Sequence, residues 1–79
     1  MADTEQEAVE LIEFIAKAMV NEPDEVKVTA VEDGEVLELE TTNADRGRVI
    51  GRQGRVVKAM RAVLAASGVG GDRELEIID

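Results

Sequence analysis

The chain has 79 residues, no cysteine and no histidine, and 18 acidic against 9 basic residues leave it a net charge of −9. Those absences exclude disulfide frameworks, thiolate or imidazole metal sites, and nucleophilic catalysis of the Ser-His-Asp or Cys-His kind, so neither an enzyme nor a cofactor-binding protein is expected. The size is that of one small domain, residues 1–79, with little core to spare.

The N-terminal residues 1–5 are acidic and carry no signal-peptide pattern, and the longest uninterrupted apolar run is 62–66. The expectation is a cytoplasmic protein without a membrane span. Residues 5–20 read as an amphipathic helix, because Ala8, Leu11, Ile12, Ile15, Ala16 and Met19 recur at three- and four-residue steps. Glu13 and Lys17 suit an i,i+4 pair, Thr4 with Glu7 resembles a capping box, and Asn21-Glu22-Pro23 supplies the stop.

Residues 25–31 and 36–41 read as two strands around Asp33-Gly34, a strong short hairpin signal. Taking Asp33-Gly34 as the turn pairs Val26 with Thr41, Val28 with Leu39 and Ala30 with Leu37 on one face, and Lys27 with Glu40 and Thr29 with Glu38 on the other, with Val31 and Val36 beside the turn. One apolar and one polar face from a single register predict a sheet covered on one side only.

A short helix is expected over 44–50 and a second over 54–66, the latter with Val56, Val57, Met60, Val63 and Leu64 inward and Arg55, Lys58 and Arg61 outward. Between them stands Gly51-Arg52-Gln53-Gly54. Residues 67–72 read as a flexible loop and residues 74–77 as a last strand. The long connection between the second and third strands is enough for a crossover, so that pair can be parallel.

Charge singles out residues 46–61, which hold six of the nine basic residues and no acidic one. A +6 island is attached to a −15 remainder. It surrounds a turn between two helices, where helix N-terminal N–H groups and glycine backbone suit an anion. The pattern is not a mononucleotide P-loop, which needs Gly-Lys-Ser/Thr after a strand, nor a dinucleotide fingerprint, which needs a third glycine.

Val49-Ile50-Gly51-Arg52-Gln53-Gly54-Arg55-Val56-Val57-Lys58 resembles the signature of the KH domain, a module that binds RNA and single-stranded DNA. The element order is similar to the type II KH arrangement, and the whole chain is most similar to the small bacterial single-KH family of the KhpA type. The resemblance implies an α+β fold, helix-strand-strand-helix-helix-strand, with a three-stranded mixed sheet and three helices on one face. It implies a groove for about four nucleotides of single-stranded RNA, clamped by the Gly-x-x-Gly loop. The RNA-binding residues it implies are Gly47, Arg48, Ile50, Gly51, Arg52, Gln53, Gly54, Arg55, Val57 and Lys58. Gly47 would let a base lie close, Val57 would line the groove, and the last strand would form the opposite wall. Arg55 and Lys58 also fit a plain solvated helix face or pairing with the acidic remainder; Arg61 fits that reading better still.

The single aromatic residue, Phe14, stands in the first helix, so no stacking platform is available and one domain should bind weakly. The family is associated with homodimers and with a larger KH-containing partner of the KhpB or Jag type. A role as RNA chaperone or post-transcriptional regulator therefore stands beside one as a protein-interaction scaffold, with no small-molecule substrate in either.

Overall fold

The structure is a computed structural model that describes residues 4–69 and 72–78. The first helix, α1 (Thr4–Met19), buries Ala8, Ile12 and Ala16, one residue from each successive turn of a single face. Leu11, Ile15 and Met19 lie half-buried beside them. Thr4 stands inside the first turn, and its hydroxyl accepts from Arg73 Nη2 at 2.9 Å, so it is not the cap that Thr4 and Glu7 suggested. Glu13 and Lys17 approach to 3.9 Å across the expected i,i+4 spacing. The helix stops four residues before Pro23, which opens a single 3₁₀ turn, Pro23–Glu25.

Strands β1 (Lys27–Val31) and β2 (Val36–Glu40) pair antiparallel in the expected register, Lys27 opposite Glu40 through Val31 opposite Val36. Asp33 (φ 58°) and Gly34 (φ 86°) take the left-handed torsions of a hairpin turn whose twist matches its strands, closed by Glu35 N–H donating to Glu32 O at 3.1 Å. The chain then crosses over through α2 (Asn43–Ile50) and α3 (Arg55–Ala66) into β3 (Glu74–Ile78), which pairs with β2 in parallel. The sheet order is β1-β2-β3, so β3 presents one free edge.

Residues 37, 39 and 75 point to one side of the sheet and meet Ile12 of α1, Val49 of α2, and Val57, Met60 and Leu64 of α3 in one buried cluster. All three helices therefore cover the same face, giving the expected α+β layer. The opposite face carries Glu38, Glu40, Glu74 and Glu76. Val36 belongs to that face by parity and is nevertheless 6% exposed, standing in register between Val31 and Glu74.

Val63 departs from expectation: it is 46% exposed rather than inward. The buried stripe of α3 is narrow, running through Val57, Met60 and Leu64. Val63 lies about 100° round the helix from Leu64, beyond the reach of the sheet. Arg73 has a structural task that its sequence position gave no sign of. Its guanidinium donates to Val69 O (3.1 Å), Gly34 O (2.7 Å) and Thr4 Oγ1 (2.9 Å), joining the loop after α3, the hairpin turn and the start of α1. Gly70 and Gly71 of the expected flexible loop lie outside the described residues.

Leu37 is fully buried and Val63 half-exposed, which separates their expected costs. Leu37→Ala should lower stability by about 2–5 kcal/mol, and Val63→Ala by about 0.5 kcal/mol or less. Urea denaturation of the two variants measures the difference.

Candidate nucleic-acid interface

The short helix α2 owes its position to its first turn. Thr42 caps it, its hydroxyl accepting from Asp45 N–H at 3.2 Å. The Asp45 carboxylate turns away from the helix and accepts from the backbone N–H groups of Asn21 (3.1 Å) and Glu22 (3.0 Å), in the segment that leaves α1. It is the only buried charged side chain among the described residues, at 1% exposure. Burial by itself would raise its pKa. The N–H groups of Asn21 and Glu22, with the Thr42 hydroxyl and the Arg48 guanidinium, outweigh that and hold it below its ordinary value. Arg48 Nε lies 3.4 Å from Asp45 Oδ1 while its side chain remains 53% exposed.

At the far end of α2, Gly51 N–H donates to Gly47 O (2.9 Å) and ends the helix. Gly51 (φ 77°, ψ 172°) then turns the chain, and Gly54 N–H donates back to Gly51 O at 3.1 Å. Three of the four loop residues have positive φ: Gly51, Gln53 (56°) and Gly54 (74°). A side chain at Gly51 is excluded twice, by that torsion and because a Cβ would run into the Val56 side chain and backbone nitrogen. At Gly54 a Cβ would meet only Val57 Cγ1 at 3.9 Å, so space is open there and the torsion alone asks for glycine. Gln53 holds a left-handed torsion without being glycine, a conformation that costs about 1–2 kcal/mol. Its side-chain oxygen accepts from Arg55 Nη2 at 3.2 Å.

The loop therefore projects Arg52 and Gln53, both exposed, immediately before the N-terminus of α3. Arg55 and Lys58 are exposed on the first turns of that helix. Among the described residues, the side chains of Arg52 and Lys58 have no hydrogen-bond or ion-pair partner, so their charge faces solvent uncompensated at close range. The arrangement suits a chain of phosphates passing a backbone turn. A separate hollow lined by Asp24, Glu25, Lys27 and Glu40 is acidic on balance and offers a polyanion little.

A family model described as KhpA/KhpB, KH domain, matches residues 9–76. The chain belongs to this family. It is 43% identical over 75 residues to the RNA-binding protein KhpA of Borreliella burgdorferi, covering 90% of this chain and 92% of the relative. It is 45% identical over 74 residues to the protein of the same name from Treponema pallidum, covering 89% and 92%. It is 48% identical over 62 residues to that of Clostridium acetobutylicum, covering 76% and 83%. No solved structure matches the chain.

The KH positions can now be placed. Gly47 is exposed, and a Cβ there would meet nothing within 4 Å, so its surface is open to a close neighbour. Ile50 is half-buried beside it. Val57 is only 7% exposed and belongs to the core, so it offers a groove little more than the edge of one methyl group. Gly47, Arg48 and Ile50 through Arg55 lie on one continuous helix-turn-helix, with Lys58 one turn further. Arg61 is the residue whose setting was least legible: it reaches across to β3 and donates to Leu75 O through Nε (3.1 Å) and Nη2 (2.9 Å). Asp45 was also missed as the residue that positions α2 and the glycine turn after it. Its local signal was the Thr42-x-x-Asp45 capping pattern, but its partners lie 23 and 24 residues away.

Gly51→Ala is expected to destabilise the fold more than Gly54→Ala, since only the first adds a clash to the strained torsion; thermal unfolding compares them. Asp45 has a depressed folded pKa, so its contribution is present above its ordinary value of 3.8 and is lost as pH falls through the lower folded value. Asp45→Asn should therefore be less stable than the parent at pH 7. The gap should close on acidification below about pH 4, as read by denaturation at several pH values.

Proposed function

We propose that this protein is a non-catalytic, cytoplasmic single-stranded RNA-binding protein of type II KH architecture that grips about four nucleotides through Gly51-Arg52-Gln53-Gly54 and acts as an RNA chaperone or post-transcriptional regulator. The observation that carries the reading is the uncompensated charge of Arg52 and Lys58 around an exposed, glycine-shaped backbone turn. The relatives' name, RNA-binding protein KhpA, supports the same ligand. No helix among the described residues is long and apolar enough to cross a membrane.

In this reading phosphates lie against the loop and the N-terminus of α3, with Arg48, Arg52, Arg55 and Lys58 supplying the field and Gly47 and Ile50 the surface under a base. The acidic sheet face repels the polyanion and confines it to the basic edge.

A second reading rests on Phe14, which is 76% exposed on α1 where a solvated helix would carry a polar residue. A self-association or a KhpB/Jag-type partner that covers α1 would bury it, and either would supply the second binding unit that a domain without base stacking needs.

With three to four phosphates neutralised, the log–log salt dependence of binding to a short single strand should have a slope of roughly −2 to −3. Arg52→Asp combined with Gln53→Asp should abolish binding and leave the far-UV circular dichroism unchanged. Undiminished binding by that double variant would remove the loop from the interface. A protein assembly that survives nuclease and tolerates the double variant, yet is lost in Phe14→Ser, would favour the docking reading.

A further inference from the structure

We propose that Arg61 and Glu76 together close the free edge of β3 to strand addition, and that the strand they keep out is β3 of a second copy of this chain. An edge strand offers a row of unpaired N–H and C=O groups on which another chain can build. Glu74 N–H donates to Glu35 O at 2.8 Å, toward β2, so strand alternation turns the backbone groups of Leu75 and Ile77 outward. β3 is the outer strand, and its edge borders an open recess of about 310 Å³ lined by Arg61, Arg73, Glu74, Leu75 and Glu76.

Left unguarded, this strand would suit itself. When two β3 strands pair antiparallel about a two-fold axis at Glu76, Leu75 of each copy stands opposite Ile77 of the other. Both residues are apolar and lie on the helix-covered side, Leu75 buried and Ile77 half-buried. Each such pair exchanges two backbone hydrogen bonds, and one of the two ends on Leu75 O. Arg61 already holds that carbonyl. Its Nε (3.1 Å) and Nη2 (2.9 Å) both donate to Leu75 O, which takes up the two lone pairs of the oxygen. The guanidinium also fills the space beside the strand, where a neighbour would run about 4.8 Å away. An added strand of either direction needs the same acceptor, so the block does not depend on how the newcomer is oriented.

Glu76 is the second guard, and it works on the uncovered face of the sheet. It is exposed, stands beside Glu38 in the parallel register, and has no hydrogen-bond or ion-pair partner among the described residues. On the two-fold axis it would face its own copy directly, in a pair without backbone bonds, where side chains come closest. The row across the joined sheets would read Glu38, Glu76, Glu76, Glu38. Like charges directly opposite one another destabilise a sheet. The pairing of Glu76 with Glu38 costs the single chain something, and the same charge set against its own copy makes self-pairing cost more. Arg61 removes the acceptor that pairing needs, and Glu76 makes the best register repulsive.

The test compares self-association of the parent, Arg61→Ala, Glu76→Thr and the double variant by sedimentation velocity at matched concentrations. The double variant should associate about ten-fold or more tightly than the parent, and Arg61→Ala by a smaller factor. Glu76→Thr alone should stay within about two-fold of the parent, because Leu75 O is still held. The chain has no cysteine, so an introduced one reports position without background. Residues facing each other across such an axis have Cα atoms about 4.5 Å apart, a separation that a disulfide spans. Glu76→Cys should remain unlinked while Arg61 is present and form a disulfide between copies when combined with Arg61→Ala. Thr29→Cys, at the middle of the opposite edge strand, should not respond to Arg61→Ala. Thermal unfolding checks that each variant is folded, and Arg61→Gln, which lacks the reach for two bonds, replaces Arg61→Ala if that variant is not. A double variant that associates no more than the parent, or a gain that links Thr29→Cys in place of Glu76→Cys, would overturn the proposal.

Discussion

A carboxylate buried at the start of α2 is the constraint on which the geometry of the site depends. Asp45 is cut off from water yet stays charged, because two backbone N–H groups of the segment leaving α1, the Thr42 hydroxyl and the Arg48 guanidinium surround it. An unpaired charge in that position would cost several kcal/mol, so the contacts that satisfy it are held firmly. They tie the entry of α2 to the exit of α1. The glycine loop is only one short helix further on, and its place relative to the sheet follows from that anchor.

Two devices then shape the edge that carries the basic residues. The first is a backbone turn that only glycine completes at Gly51, beside Val56, and that leaves the tip carrying Arg52 and Gln53 free of contacts on its outer side. The second is the segregation of charge. The helix-turn-helix of α2 and α3 collects the basic island, while the uncovered sheet face gathers Glu38, Glu40, Glu74 and Glu76. Glu38 stands directly beside Glu76 in the parallel register, a like-charge neighbour pair that is unfavourable in itself. The acidic face repels a polyanion, and the basic edge is the part of the molecule whose field attracts one.

Arg61 and Arg73 show how two arginines of the same chain take different work. Arg73 spreads its donors over three segments, and its charge is taken up in holding the hairpin turn against α1. Arg61 spends one side of its guanidinium on a single carbonyl at the sheet edge and keeps the other side open. The first arrangement ties three segments together; the second ties α3 to the edge strand.

Much of this was written in local pattern. The hairpin register followed from period-two alternation around Asp33-Gly34, because any one-residue slip would have turned Leu37 and Leu39 to water. The inward faces of α1 and α3, the glycine loop between two helices and the charge island are likewise set by neighbours within a few residues. The sequence by itself thus determined the elements, the antiparallel pairing and the segment that carries the site. Tertiary structure alone decided what each side chain there does. The carboxylate of Asp45 is satisfied from a distant turn, and Val63 is left outside a core stripe narrower than its helix face. Arg61 is pinned to a strand fourteen residues on. Those outcomes depend on which surfaces the crossover brings together, and no periodicity along the chain encodes a contact between segments that meet only after it closes.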